Sequence, residues 1–144
     1  MNIESDRNNV LKYLESLKWP DDAIVCPYDS FSKFYRTNDP CTYVCATNRR
    51  NFTVITGTPL EKHARRIVQL YNVVLCLLKK CSENEIIYML GISPYSLRRL
   101  YRDMFIILKY PMPKKQDDFH KELLKKFNRR KATKNYIFSS MLGL

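Results

Sequence analysis

The chain has 144 residues, five cysteines and a formal net charge of +11. This length suits one domain or two very small ones, and an odd number of irregularly spaced cysteines argues against a secreted disulfide framework. The polar N-terminus lacks the apolar core of a signal peptide, and the longest apolar run, VVLCLL at 73–78, is too short to span a bilayer. We therefore expect an intracellular protein without a membrane partner, in the nucleus of a eukaryote or in the cytoplasm or nucleoid of a bacterium.

Charge is distributed unevenly along the chain. Residues 1–47 contain five basic and seven acidic residues, a net of −2, whereas residues 48–144 contain twenty basic and seven acidic residues, a net of +13. An excess of this size predicts a polyanionic partner for the second part, and we expect that partner to be duplex DNA. A basic surface that serves only solubility is the alternative.

The first predicted element is a helix over residues 5–18. Ser5 or Asp6 supplies its N-cap. Trp19-Pro20 ends it, because the residue before a proline disfavours helical backbone angles. Its apolar residues recur at helical spacing: Val10, Leu11, Leu14 and Leu17.

Residues 22–57 are predicted to be β structure. Short runs rich in β-branched and aromatic residues indicate strands at 22–28, 42–46 and 50–58, with Gly57 closing the last one. The apolar side chains available to pack this region are Val25, Tyr28, Phe31, Phe34, Tyr35, Tyr43, Phe52 and Val54.

Three capped helices follow. The sequence TPLE opens a helix over residues 58–80, with the pattern of a capping box and a proline at the first helical position. A second capping box, SENE, opens a short helix over 82–90 that Gly91 stops. The third helix begins at Ser93 and ends at the YPMP sequence, residues 110–113.

The C-terminal part is predicted to contain one basic helix and an apolar tail. The helix is amphipathic over residues 116–131, and Lys125, Arg129 and Arg130 are its candidate DNA contacts. Its KKFNRRK sequence fits either a nuclear import signal or a basic helix end. The tail from Tyr136 to Leu144 is a candidate protein-binding surface.

The short second helix, the LGIS turn at 90–93 and the third helix match a helix-turn-helix. Gly91 gives the turn its conformational freedom, and Ile92 is expected to enter the core. The third helix would then lie in the major groove of duplex DNA. Its predicted apolar face consists of Leu97, Leu100, Tyr101, Met104 and Leu108.

The opposite face of the third helix is the candidate DNA-reading surface. Arginine suits this role because its planar fork makes bidentate contacts with guanine and with phosphate. Arg49 and Arg50, in the preceding β region, join the candidates. A helical bundle with an arginine-rich face that does not bind DNA is the alternative. The outward residues of the helix are Tyr95, Ser96, Arg98, Arg99 and Arg102.

The stretch from Leu11 to Ile107 resembles the N-terminal region of Merlin-type and related bacterial insertion-sequence transposases. In that family a leading helix ends in a W-P step, as at Trp19-Pro20, and a zinc ribbon and a helix-turn-helix follow. The second half of the ribbon corresponds here to YVCATNRRNFTVITGT, residues 43–58, and the LGIS turn is kept. The resemblance implies a ribbon-like β region in front of a DNA-binding helix pair.

Two of the four zinc ligands that the resemblance implies are missing. Cys26 and Cys45 keep one cysteine of each metal-binding turn, whereas the second positions hold Asp29 and Asn48. Structural zinc prefers four thiolate or imidazole ligands, so we expect a degenerate ribbon without metal and no cofactor. Cys41, or His63 in the next helix, is the alternative ligand. A reducing compartment disfavours a disulfide between the two remaining cysteines.

The transposases also carry a catalytic domain after the helix-turn-helix. Here about 35 residues follow Lys109. Their acids, Asp117, Asp118 and Glu122, lie within one or two helical turns and cannot span a two-metal site. We therefore expect that the chain is not an enzyme by itself.

Together these patterns predict an α+β fold that is mostly α. Residues 1–57 form an N-terminal helix and a degenerate zinc-ribbon-like region, residues 58–110 a helix-turn-helix domain, and residues 111–144 a basic helix and apolar tail. Two functions remain open. One is a transposase-derived, non-catalytic protein that binds duplex DNA. The other is a non-catalytic accessory subunit of a larger DNA-acting complex, which uses the ribbon and the tail to bind a protein partner.

Overall fold

The structure is a computed structural model that describes residues 3–144. Within these residues the chain forms six α-helices and one three-stranded antiparallel sheet, an α+β fold that is mostly α, as predicted. The helices are α1 (Arg7–Lys18), α2 (Ile67–Leu78), α3 (Glu83–Leu90), α4 (Pro94–Leu108), α5 (Phe119–Phe127) and α6 (Lys134–Met141). The strands are β1 (Phe34–Arg36), β2 (Tyr43–Cys45) and β3 (Asn51–Phe52). None of the helices in this part of the chain has the length and hydrophobicity that crossing a bilayer requires.

Helix α1 follows its prediction closely. Asp6 is the N-cap, and its side chain accepts a hydrogen bond from the Asn8 amide at 2.9 Å. The helix ends at Trp19, whose amide donates to the Glu15 carbonyl before the proline. The buried side of the helix is Val10, Leu11 and Leu14.

The sheet lies in the predicted β region but uses different strands. The strand expected at 22–28 is wrong, because Asp22 has a φ of 57° and the Ile24 amide donates back to the Asp22 carbonyl at 2.8 Å. This tight turn prevents an extended backbone, and the sheet begins instead with β1, which pairs with β2. The last strand ends at Phe52, since hydrogen bonds between Thr53 and Thr56 close a turn directly after it.

Aromatic rings fill the space beneath the sheet. Tyr43 is buried at the centre, with its ring centroid 5.6 Å from that of Phe52, 5.7 Å from Phe34 and 6.0 Å from Trp19. Edge-to-face and tilted aromatic pairs of this kind add to the burial energy. Three side chains that were expected to join this packing are exposed instead: Val25 (45%), Phe31 (97%) and Tyr35 (62%).

The segment before α2 differs from its prediction. The helix expected over 58–80 is α-helical only from Ile67, and residues Glu61–Arg66 form 3₁₀ turns with a kink at His63. The Glu61 carboxylate accepts from the Gly57 amide at 3.0 Å rather than from Thr58. The carboxylate of Glu61 therefore bonds an amide one residue earlier than a capping box requires, and the chain after it forms 3₁₀ turns rather than an α-helix.

Helices α3 and α4 confirm their predicted start and stop signals. Ser82 and Glu85 form the complete capping box of α3, and Gly91 ends that helix with a φ of 62°. Ser93 caps α4 by accepting from the Ser96 amide at 3.0 Å. The turn between the two helices is thus only three residues long, 91–93.

Helix α2 lies at the centre of the helical half, where it contacts α1 and α3 to α6. The predicted amphipathic helix over 116–131 ends at Phe127, and the residues that follow form turns before α6. Helix α6 packs on the core through Phe138, which stacks on Tyr71 at 5.1 Å. Most of the apolar tail is therefore buried rather than a free docking surface: Ile137, Phe138, Met141 and Leu142. The predicted division into three domains stays a prediction.

Candidate nucleic-acid interface

Helix α4 presents two distinct faces. Four of the predicted inward residues, Leu97, Leu100, Tyr101 and Met104, are each at most 1% exposed. The fifth, Leu108, is partly buried against the core. The outward stripe follows the helical repeat and is exposed at Tyr95, Arg99, Arg102 and Ile106. The hydroxyl of Ser96 lies 3.0 Å from that of Ser93, so this residue belongs to the cap of the helix.

A cavity of about 150 Å³ opens beside the first turns of α4. It brings together most of the residues that the sequence singled out on this helix. Arg66, from the turn before α2, and Gln116, from the turn before α5, complete its wall. Its lining consists of Arg66, Tyr95, Arg98, Arg99, Arg102, Asp103 and Gln116.

Arg98 differs from its prediction as a free outward arginine. Its guanidinium lies 3.0 Å from the Asp117 carboxylate and 4.0 Å from that of Glu83. The reason is that position 98 faces both the first turn of α3 and the turn before α5, which each present an acid. Arg98 therefore connects three elements of the protein and is less available to a ligand than the sequence suggested.

Asp103 is the functional residue that sequence reasoning missed. It is only 9% exposed, and its Oδ2 lies 2.9 Å from the Arg66 guanidinium and 3.5 Å from Nδ1 of His63. These contacts hold the Glu61–Arg66 turns against α4, and Arg66 lines the cavity. One signal was available in the sequence, because this aspartate is the single acid in an arginine-rich helix.

Arg99 and Arg102 are the cations of α4 that keep their charge available. In residues 3–144 no carboxylate lies within 4.0 Å of either guanidinium. The Arg99 guanidinium lies 5.8 Å from the ring centroid of Tyr95, which is 70% exposed. Together they form an exposed surface that suits phosphate and base edges. We call Tyr95, Arg99 and Arg102 the α4 stripe.

Helix α4 is joined to α5 by a partly buried contact between Tyr101 and His120. The Tyr101 hydroxyl lies 2.6 Å from Nδ1 of His120, at hydrogen-bond distance. Burial raises the pKa of the tyrosine and lowers the pKa of the histidine, while the charge of Glu83 opposes the latter shift. The pair holds the back of α4 against the rest of the bundle.

The other predicted basic contacts lie outside the α4 cavity. Arg49 and Arg50 occupy the loop between β2 and β3, and the Arg50 guanidinium lies 4.7 Å from the ring centroid of Tyr28. Lys125 pairs with Glu122 on its own helix at 3.7 Å. The structure thus does not gather these residues into one site with the α4 stripe.

Arg129 and Arg130 line a second cavity, of about 260 Å³. It lies where the end of α4, the end of α5 and the start of α6 meet. The remaining lining residues are Tyr110, Lys126, Lys131, Ala132 and Tyr136.

The two non-cysteine positions of the predicted zinc ribbon are engaged in other contacts. Asn48 and Asp29 each accept a hydrogen bond from a backbone amide two residues further on, at 2.9 and 3.0 Å, so both side chains close their own turns. The alternative ligands are engaged elsewhere, since the Cys41 thiol bonds the Asn8 carbonyl and His63 faces Asp103. No group of three or more potential ligands is arranged to hold a metal ion in the part of the chain that the structure describes.

One cysteine of the ribbon keeps a polar environment. The Cys45 sulfur lies 3.5 Å from the Ser32 hydroxyl. Hydrogen bonds from that hydroxyl and from the Asn48 amide lower the pKa of the Cys45 thiol to about 7. All five cysteines, including Cys26, are free thiols in the structure.

Comparison of the chain with protein-family models, with curated proteins and with solved structures gives no match. The resemblance to transposases therefore stays a prediction, and the function has to be argued from the surface itself.

Proposed function

We propose that the chain is a non-catalytic protein that binds duplex DNA, with α3 and α4 acting as a helix-turn-helix and α4 entering the major groove. The observation that supports this best is the α4 stripe. Its two guanidinium groups, which have no carboxylate partner in residues 3–144, and its exposed tyrosine lie within the first nine residues of a helix that follows a three-residue turn. In a helix-turn-helix the N-terminal residues of the second helix contact the bases.

The charge of the chain supports the same proposal. A net of +13 on residues 48–144 favours a polyanion, and phosphate contacts release counterions from DNA. Binding should therefore weaken steeply with salt, by a log–log slope of about −0.9 for each phosphate that is neutralised. We infer phosphate contacts along the basic surface and base contacts from the α4 stripe.

Fluorescence anisotropy with a labelled duplex tests the proposal. Replacing Arg99 and Arg102 together with alanine should weaken binding by at least about tenfold, since each such contact contributes roughly 1–3 kcal/mol. A matched control removes two exposed cations from α1, Arg7 and Lys12. It has the same net charge and should change affinity far less. Equal losses in the two double variants would exclude α4 as the reading helix.

A second candidate function is that of an accessory subunit in a DNA-acting complex. The observation in its favour is the exposed apolar surface of the ribbon, where Phe31 is 97% and Tyr35 62% exposed. Aromatic residues are enriched in protein interfaces. This candidate predicts that duplex affinity is insensitive to salt and to the α4 stripe, whereas Phe31→Ser weakens capture of a partner from native extract.

A further inference from the structure

The second cavity has a composition that the duplex-binding surface does not explain. Four cations surround it: Lys126, Arg129, Arg130 and Lys131. No acid lines it, and none of the four lies within 4.0 Å of a carboxylate in residues 3–144. Like charges held together without a counter-ion repel one another, so the cavity favours an anion.

Two tyrosines give the cavity its apolar walls. Tyr110 follows the end of α4 and is partly buried, whereas Tyr136 in the first turn of α6 is 55% exposed. The Lys126 ammonium lies 5.3 Å from the centroid of the Tyr110 ring. Burial raises the pKa of Tyr110, the charge of Tyr136 raises it further, and the guanidinium of Arg129 lowers it. The cavity therefore combines aromatic rings with concentrated positive charge.

That combination selects one class of ligand. Proteins that bind single-stranded nucleic acid place aromatic side chains, on which bases stack, beside a positively charged surface that follows the phosphates. A base pair within a duplex hides both faces of its bases, so only an unpaired base can stack on Tyr136. The volume, about 260 Å³, is just under the range of about 300–1,000 Å³ for complete small-molecule pockets. It suits one unit of a longer polymer.

We propose that this cavity binds an unpaired nucleotide of a DNA strand, with the base stacked on Tyr136 and the adjacent phosphates paired with Arg129 and Arg130. The site goes beyond duplex binding and does not depend on it. It lies at the opposite end of α4 from the α4 stripe, since Tyr110 follows the helix and Tyr95 begins it. A protein with both sites can hold a junction between duplex and single strand.

Two fluorescent single-stranded probes of about 12 nucleotides separate the contribution of the bases to binding from that of the phosphates. One is oligothymidylate, and the other is an abasic strand of the same length, which keeps the phosphates but has no bases. The wild-type protein should bind oligothymidylate at least about fivefold more tightly than the abasic strand, in line with the effect of one base–aromatic stack. Equal affinity for the two probes, or no binding of oligothymidylate, would overturn the proposal.

Variants then assign the two parts of the interaction. Tyr136→Leu keeps an apolar side chain and should abolish the preference for bases, whereas Tyr136→Phe should keep it. The backbone bonds of this residue, to Thr133 and Ser140, are retained in both variants. Replacing Arg129 and Arg130 with alanine should weaken the binding of both probes by at least about tenfold at low salt. The loss should be larger than that caused by replacing Arg7 and Lys12 with alanine.

The duplex proposal is tested separately. Tyr136→Leu should leave binding of a duplex whose two ends are closed by non-nucleotide linkers within about twofold of wild type, because that probe contains no unpaired base. A base preference that survives Tyr136→Leu, with duplex binding unchanged, would reject the nucleotide site and leave the duplex proposal standing. Loss of duplex binding in Tyr136→Leu would mean that the cavity is part of the duplex surface and would also reject a site for an unpaired base.

Discussion

The ribbon and helix α4 both carry arginines, yet they use them differently. In the ribbon, Arg50 lies 4.7 Å from the ring centroid of Tyr28 and Arg36 lies 5.7 Å from that of Tyr43, so these cations pack on the protein's own aromatic rings. On α4, Arg99 lies 5.8 Å from the ring centroid of Tyr95, but that ring is itself 70% exposed, and Arg102 has neither a ring nor a carboxylate partner in the described part of the chain. The comparison teaches that the count of arginines does not identify a ligand surface, whereas the exposure of the groups beside them distinguishes the two regions.

The ribbon's aromatic packing supports the largest prediction. Phe52 is 2% exposed and touches Tyr43, Trp19 and Tyr28, so Phe52→Ala should lower the free energy of unfolding by about 3–5 kcal/mol. Urea denaturation followed by Trp19 fluorescence measures this. The matched control is Phe31→Ala, which removes a 97% exposed ring and should change stability by less than about 0.5 kcal/mol. Similar effects of the two changes would mean that aromatic packing does not hold the ribbon.

The anchoring of α4 gives the next prediction. Asp103→Ala removes the partner of Arg66 and His63 and leaves a partly buried guanidinium without a counter-ion. Because Arg66 is itself 31% exposed, we expect a loss of about 1–3 kcal/mol rather than the larger cost of a fully buried pair. Thermal denaturation should detect this loss. Glu122→Ala breaks the exposed pair with Lys125 and serves as the control, with an expected change of about 0–1 kcal/mol.

A pH-dependent change follows from His120. Its pKa is lowered in the folded state, chiefly by burial, so the unfolded chain binds more protons near and below the ordinary histidine pKa of about 6.5. The stability contribution of the neutral ring is therefore complete above that pH and decreases as the pH falls below it. The melting temperature of wild type should drop from pH 7 to pH 5 by more than that of His120→Gln. Parallel profiles for the two proteins would contradict this assignment.

The smallest expected effect concerns metal. Asn48 and Asp29 use their side chains to close the ribbon turns, so purified protein should contain much less than one zinc ion per chain. Elemental analysis measures the metal content, and a chelator should leave the melting temperature unchanged. Stoichiometric zinc, together with a lowered melting temperature in chelator, would mean that the ribbon is held by metal and not by its rings.

Much of the helical half was predictable because its signals are local. The capping box at Ser82 and Glu85, Gly91 at the turn and the Ser93 cap each act within a few residues, and each appears where the sequence placed it. The buried face of α4 was predictable for the same reason, since its residues follow the helical repeat. These signals require no knowledge of distant contacts.

The remaining features depend on contacts that sequence spacing does not encode. Arg98 was predicted to face outward because the apolar residues of α4 occupy the opposite side at helical spacing, but its guanidinium pairs with Asp117, nineteen residues further along the chain. The ion pair between Asp103 and Arg66 likewise joins residues that are far apart in the sequence. The strand expected at 22–28 failed because two successive aspartates, Asp21 and Asp22, adopt left-handed backbone angles, which the β-branched pattern does not reveal.

The central claim is that Arg99 and Arg102 of the α4 stripe carry the interaction with duplex DNA, and that Arg36 and Arg50, which pack on the rings of Tyr43 and Tyr28, do not. Two double variants test it at equal net charge: Arg99 and Arg102 to alanine, and Arg36 and Arg50 to alanine. We expect the α4 pair to weaken binding of a hairpin duplex by at least about tenfold, since each base contact contributes roughly 1–3 kcal/mol. The ribbon pair should change affinity by less than about threefold. Equal losses, or a larger loss for the ribbon pair, would contradict the account.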